Sequence, residues 1–379
     1  MHMKLIQVMI PFMLFLTCCV TKFIPQTNEN PELLVVEGLI TDQPGANTLK
    51  LSSTLPLGIR SNAKPLTGYY VTITDDLGNM FYFIETDTGT YVSDPSIFKG
   101  TIGRFYTLHI NPSTDKNIHR FESYPIEMKP VPPIDSIYYE KVEISDNNMF
   151  SQPPEGCQIF LNTHDPTNQC RYYRWEYTET WEFRIPYNVP NSTCWISSNS
   201  DKINIKSTGS LAETRILRYK LNYISNQSDR LKVKYSILVN QYSLNEDEYL
   251  YWEKLQNIST EVGSLYDITP AYIPSNISCT EDPNEQVLGY FSVSARSSKR
   301  IFIKDSFSGQ VDLYSTCPSD TIAGSDTISI PGLNESVWVI VSRMESGMPP
   351  YRIITDNKGC ADCSVRGTPV KPAFWRDDK

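Results

Sequence analysis

Apolar and polar residues alternate along most of this chain in short runs. Leu33–Ile40, Thr48–Ser53, Tyr69–Thr74, Met80–Glu85, Thr90–Ser93, Phe105–Ile110 and Phe121–Glu127 are the first of them. A period of two puts the apolar side chains on one face of a half-buried strand. Turn chemistry separates the runs at Asp42-Gln43-Pro44-Gly45, Asp76-Leu77-Gly78-Asn79 and Asp87-Thr88-Gly89. About seven short strands in roughly 100 residues predict an immunoglobulin-like β-sandwich over residues 31–128. No cysteine lies within it, so an antibody-type bridge is excluded.

Lys129-Pro130-Val131-Pro132-Pro133 interrupts the pattern. Proline has no backbone donor and restricts the residue before it, so residues 129–133 read as a semi-rigid linker and a domain boundary. Strand patterning resumes over 134–379, at Ser136–Ile144, Cys157–Asn162, Arg171–Ile185, Thr214–Asn222, Leu231–Gln241, Val287–Ala295, Arg300–Lys304, Val337–Arg343 and Tyr351–Thr355. One helix is predicted near 244–262. Ser243-x-x-Glu246 has the form of a capping box, Leu244, Tyr251, Leu255, Ile258 and Val262 recur at helical spacing, and Gly263 offers a C-cap. The expected fold is mainly β, an N-terminal sandwich followed by a larger β-rich domain carrying one amphipathic helix.

The run from Tyr172 to Ile185 alternates with unusual regularity. Tyr173, Trp175, Tyr177, Trp181, Phe183 and Ile185 share one face with Glu179, while Arg174, Glu176, Thr178, Thr180, Glu182 and Arg184 share the other. The aromatic face is expected to pack as core. Its alternative is a ligand groove around Glu179, built from Tyr173, Trp175, Tyr177 and Trp181, because aromatics joined to a few polar groups suit an oligosaccharide or a peptide.

The N-terminus addresses location. His2 and Lys4 precede an apolar run from Leu5 to Leu16, broken only by Gln7 and Pro11, which reads as a signal peptide over residues 1–18. A membrane-spanning helix needs roughly 20 apolar residues, more than this run supplies. Leu16-Thr17-Cys18-Cys19 resembles the bacterial lipobox, in which Leu stands three positions before the lipidated cysteine. That spacing selects Cys19 for the acyl anchor, with Cys18 as the alternative. Diacylation plus N-acylation, palmitate among the chains, gives stable membrane attachment where one chain is marginal. Residues 19–30 then form a tether.

Composition narrows the function classes. The net charge is −9, and −10 once Lys4 is removed with the signal, and no basic cluster is present. Nucleic acid is therefore excluded as a partner. Beyond the lipobox lie Cys157, Cys170, Cys194, Cys279, Cys317, Cys360 and Cys363. Disulfides are the default in an exported chain, but an odd count leaves a thiol over and spacing does not choose the pairs. Cys360-x-x-Cys363 lacks the second CxxC or His pair that zinc needs, so it is expected to bridge the C-terminal tail. His109 is expected on a sheet face, His119 solvated beside a turn and His164 at a strand end. No HExxH, GxSxG, P-loop, SxxK or calcium-loop signature occurs. Glu246-Asp247-Glu248 is explained by the positive end of the helix dipole rather than as a pair of glycosidase acids. No enzyme activity, catalytic residue, cofactor or metal is expected.

Several pieces then coincide. Cys19-Val20-Thr21-Lys22-Phe23-Ile24-Pro25 with Leu34-Val35-Val36-Glu37-Gly38-Leu39-Ile40-Thr41-Asp42 resembles the opening of the domain-of-unknown-function 4249 family of Bacteroidota lipoproteins. Arg174-Trp175-Glu176-Tyr177, the segment Tyr249–Leu255 leading to Gly263-Ser264-Leu265-Tyr266-Asp267, and Val287-Leu288-Gly289-Tyr290-Phe291 with Lys299-Arg300-Ile301-Phe302-Ile303 continue the resemblance. Cys360-x-x-Cys363 with Lys371-Pro372-x-Phe374-Trp375 closes it. Ser275-Asn276-Ile277 departs from it, standing where Gly-Asn-Ile is expected. The resemblance implies an outer-membrane, surface-exposed lipoprotein encoded beside a TonB-dependent transporter, acting as a non-enzymatic accessory or ligand-capture component. The alternatives are a structural or adhesive surface lipoprotein and, more weakly, a hydrolase with an unfamiliar site.

Overall fold

The computed structural model describes residues 32–55, 63–113, 119–143, 155–186, 189–261, 273–310, 317, 320–323, 339–342, 351–355 and 357–376. The signal peptide, the tether, Cys18, Cys19 and the Gly263 cap lie outside the described residues. The fold is mainly β. Among the described residues, no helix is long and apolar enough to cross a membrane.

The first sheet contains β1 (Leu34–Ile40), β2 (Thr48–Ser53), β3 (Lys64–Pro65), β4 (Tyr69–Asp75), β5 (Met80–Asp87), β6 (Thr90–Ser93), β7 (Phe105–Pro112), β8 (Phe121–Ser123) and β9 (Ile126–Glu127). It also takes two strands from beyond the linker, β17 (Ile277–Cys279) and β18 (Val287–Val293). β18 runs parallel to β1, with Val36 opposite Gly289, and β17 pairs antiparallel with β8, with Cys279 opposite Phe121. The main path of the sheet is β17-β8-β7-β4-β5-β6-β2-β1-β18. Its two ends meet through a side chain. Asn276 donates its amide to the Phe291 carbonyl at 2.8 Å and accepts the Phe291 N–H at 2.9 Å. The closed sheet surrounds a core of Val36, Leu49, Ile73, Tyr91, Leu108, Phe291 and their neighbours.

The second unit packs two sheets face to face. One is β10 (Ile134–Glu143), β11 (Glu155–Asp165) and β15 (Thr214–Ile224). The other joins β12 (Tyr172–Arg184) to β13 (Thr193–Asn199), β14 (Asn204–Ser207), β16 (Lys234–Ser243) and β19 (Arg296–Ile303). Ile159 and Leu161 from one sheet meet Trp175, Ile237 and Val239 from the other in a single core. Gln241 ties the linker into that core, accepting the Trp175 indole N–H at 2.9 Å and donating to the Pro132 carbonyl at 2.8 Å. A small sheet, β20 (Asp320–Ala323), β22 (Tyr351–Thr355) and β21 (Val339–Ser342), lies near the C-terminus with the short helix α2 (Lys358–Ala361).

The long helix α1 spans Glu246–Glu261. The expected capping box does not form. Ser243 is the last residue of β16, and its hydroxyl donates to the Lys129 carbonyl at 2.6 Å. The Asn245 carbonyl instead accepts the first helical bond, from Tyr249 N–H at 3.0 Å. The Asn245 side chain donates to the Glu127 carbonyl, pinning the helix start to the end of the first unit. After β18 only Ser294-Ala295 separates the two units, and the Asp42 carboxylate accepts the Arg296 N–H at 2.8 Å across that crossing. The linker, the helix and this crossing hold the units against one another.

Candidate functional site

A cavity of about 550 Å³ lies where the two units meet under α1. β1, β2 and β18 supply Glu37, Gly38, Lys50, Tyr290 and Ser292; β12 supplies Arg174 and Glu176; α1 supplies Tyr251, Trp252 and Leu255. Two glycines keep the wall thin. A Cβ on Gly38 would meet the Leu49 side chain, and Gly289, at φ +83°, would place one 2.0 Å from the Val36 carbonyl oxygen. The Tyr251 ring packs on Tyr290 at 4.8 Å, and the Tyr290 and Tyr124 hydroxyls meet at 2.9 Å. Burial raises the pKa of both Tyr290 and Tyr124, so both hydroxyls stay protonated.

Among the charged residues of this wall Arg174 is buried, while Glu37 and Lys50 are exposed and Glu176 is partly exposed. The Arg174 guanidinium lies 4.3 Å over the Trp252 ring and 5.2 Å over Tyr242, and pairs with Glu176 at 2.9 Å. Its Nε is buried with no hydrogen-bond partner. Glu248, only 1% exposed, accepts the Trp252 indole N–H at 3.3 Å on Oε1 and leaves Oε2 unpartnered. Burial pushes the Glu248 pKa up, and Arg174, Ser292 and Trp252 offset this only in part. Buried polar atoms without partners are rare in folded proteins. Here a donor and an acceptor stand orphaned in the same aromatic neighbourhood, an arrangement that suits a ligand with hydrogen-bonding groups of both kinds and an apolar face.

The residues singled out on the aromatic face of β12 lie elsewhere. Tyr173, Trp175, Tyr177, Glu179 and Trp181 are all buried in the core between the two sheets, and none lines the interfacial cavity. Glu179 is satisfied there. It accepts the Tyr235 hydroxyl at 2.7 Å and the Asn222 amide at 3.4 Å, and pairs with Arg230 at 3.5 Å. Trp181 donates to Asp229 at 3.1 Å, and Asp229 pairs with Arg366 at 2.7 Å. The acid that interrupts the aromatic face belongs to an internal polar network, not to a groove.

Four cysteines pair, as Cys194–Cys363 and Cys317–Cys360, so the CxxC residues bridge the tail outward rather than to each other. Cys157, Cys170 and Cys279, disulfide candidates on sequence, are instead free and buried. Cys279 sits in the first core and the other two in the second. Cys157 and Asp165 mark opposite ends of β11, eight residues or about 26 Å apart, and Cys170 is held at the far end through its N–H bond to Asp165. Burial pushes both the Cys157 and Cys170 thiols up to about 12, where they are unreactive.

Among the histidines, His109 contacts the Thr74 hydroxyl at 2.8 Å and His164 pairs with Asp135 at 2.7 Å. His119 was expected to be merely solvated. It contacts Glu285, and its Nδ1 lies 3.8 Å from the Cys279 sulfur. Arg174, Glu176 and Glu248 escaped a sequence reading because a polar strand face and an acidic helix start both resemble solvated surface. The available signal was their proximity in type: a strand face carrying Arg174 and Glu176, followed in the chain by an acidic, aromatic-rich helix.

No protein of curated function matches the chain. A family model described as a domain of unknown function matches residues 20–300, about three-quarters of the sequence. β12, α1 and β18 all fall within that span, and the chain belongs to the DUF4249 family.

Proposed function

We propose that this protein is a lipid-anchored outer-membrane lipoprotein of the cell surface, serving a TonB-dependent nutrient transporter as a non-enzymatic ligand-capture component. The interfacial cavity carries the reading. It is roomy, aromatic on the α1 side, and lined by the buried Arg174, whose Nε has no hydrogen-bond partner. Such a wall suits an oligosaccharide or a peptide held by stacking on Tyr251 and Trp252 and by hydrogen bonds to Arg174 and Glu176, without needing an acid–base pair. Cys19 would hold the chain at the membrane, and the tether would let the two units stand off it.

The test is extraction from native membranes in mild detergent, followed by mass spectrometry of what co-purifies. A TonB-dependent transporter in stoichiometric amount is the expected result. A clean monomer from the same membranes would count against the proposal.

A further inference from the structure

We propose that His119, Cys279 and Glu285 form a binding site for a zinc-class divalent metal ion at the edge of the first sheet, independent of the interfacial cavity. The His119 Nδ1, Cys279 Sγ and Glu285 carboxylate lie within 4.8 Å of one another. Sequence distance hides them, since Cys279 is 160 residues from His119. The fold brings them together through the β8–β17 ladder, which sets Cys279 opposite Phe121, and through the Thr280 N–H bond to the Arg120 carbonyl at 2.9 Å. A turn at Asp282, closed by the Glu285 N–H, returns Glu285 to the same place.

The geometry and the donor types agree with one class of ion. Zn–S and Zn–N bonds of about 2.3 and 2.0 Å at a tetrahedral angle set the ligand atoms about 3.5 Å apart. The observed Sγ–Nδ1 separation is 3.8 Å. One imidazole, one thiol and one carboxylate make a mixed N, S, O set that favours zinc-like ions over magnesium or calcium, which take oxygen. Glu281 supports the thiol from outside, with Oε2 3.7 Å from Sγ. That oxygen already accepts the Arg120 N–H and the Thr280 hydroxyl, both at 2.8 Å, so it orients rather than ligates. A cavity of about 300 Å³ lined by His119 and Glu285 leaves room for water at a fourth position.

On binding, the ion replaces the proton between Nδ1 and Oε2, and the thiol gives up its own proton to solvent. The bound ion would cross-link the β17–β18 connection to the start of β8, close to the seam where the sheet closes on itself. This also gives a role to Cys279, a buried thiol of the exported part of the chain that forms no disulfide.

The experiment uses the untagged full mature chain, stripped with chelator and titrated with zinc chloride by calorimetry and with cobalt chloride by absorption. One ion per chain and a thiolate-to-cobalt charge-transfer band are expected. Cys279→Ser should remove the band. His119→Gln and Glu285→Gln should each weaken zinc binding by more than the roughly 10–100-fold typical of outer-shell changes. Absence of binding in the native chain overturns the proposal, and so does a charge-transfer band that persists in Cys279→Ser. If Cys279→Ser does not fold, the two Gln variants decide, and unchanged affinity in both overturns it.

Discussion

The Asn276 side chain completes the first sheet by acting as a strand rung for Phe291, giving one hydrogen bond to its carbonyl and taking one from its N–H. Both residues are buried, Asn276 at 3% and Phe291 at 0% exposure. The β17 edge and the β18 edge are thus joined by one amide side chain. Asn276→Ala leaves both backbone groups of Phe291 unpaired, a cost of about 2–4 kcal/mol. Asn276→Asp turns the donor into an acceptor facing a carbonyl, and that damage should ease as acid protonates the carboxylate. Hydrogen exchange at the Phe291 amide is the readout. Native-like protection in Asn276→Ala would show that the seam is held by other contacts.

Much of the strand pattern was legible because half-buried strands must alternate. Thr48–Ser53, Thr90–Ser93 and Tyr351–Thr355 have the predicted bounds. β17 was not legible, because three residues carry no periodicity and its partner β8 lies far back in the chain. β13 and β14 escaped for the related reason that their exposed positions dilute the alternation. The Ser275-Asn276-Ile277 segment drew notice only as a departure at its first residue, whereas the work is done by the second. The site was largely hidden. Arg174 and Glu176 lie on the face that alternation assigns to solvent, and the elements around the cavity bury Arg174 while leaving Glu176 partly exposed.

Gly289 is required by geometry twice over. Its φ of +83° disfavours any L side chain, and an added Cβ would strike the Val36 backbone. Gly289→Ala should therefore cost about 3 kcal/mol. Gly78, at φ +85° with nothing near its missing Cβ, isolates the conformational part. Gly78→Ala should cost only about 1–2 kcal/mol. Urea denaturation of the two variants side by side gives the comparison, and equal losses would remove the steric argument.

The Cys194–Cys363 bridge spans a sequence separation of 169 residues and ties the tail to β13. Closing so long a loop restricts the unfolded chain substantially. Cys363→Ser should lower stability by about 2–5 kcal/mol. Reductant added to the native chain should cost at least as much, because it also opens Cys317–Cys360. Thermal melts with and without reductant check this; a variant as stable as the native chain would place the stabilisation elsewhere.

The proposed lipidation at Cys19 makes a separate prediction at the cell level. Cys19→Ala should abolish palmitate labelling and release the protein from membranes. Labelling that persists in Cys19→Ala but is lost in Cys18→Ala would transfer the anchor to Cys18. Protease shaving of intact cells then reports whether the two units face outward.

Glu248, buried near the start of α1, makes stability depend on pH. Its folded pKa is raised, chiefly by burial, against an unfolded value of 4.5. The folded state therefore holds this proton more tightly than the unfolded state does. Stability from this group is fully present below pH 4.5 and falls as pH rises toward the folded pKa, with no further loss above it. Each unit of displacement corresponds to about 1.4 kcal/mol. Glu248→Gln keeps the oxygen that accepts the Trp252 indole N–H and cannot ionise. It should raise the melting temperature at pH 7 and change it little at pH 4. The cavity charges Arg174, Glu176 and Lys50 remain in both proteins, so the difference between the two curves isolates Glu248. A variant less stable than the native chain at pH 7 would mean that the carboxylate is the form the fold prefers, paired to Arg174 rather than strained beside it.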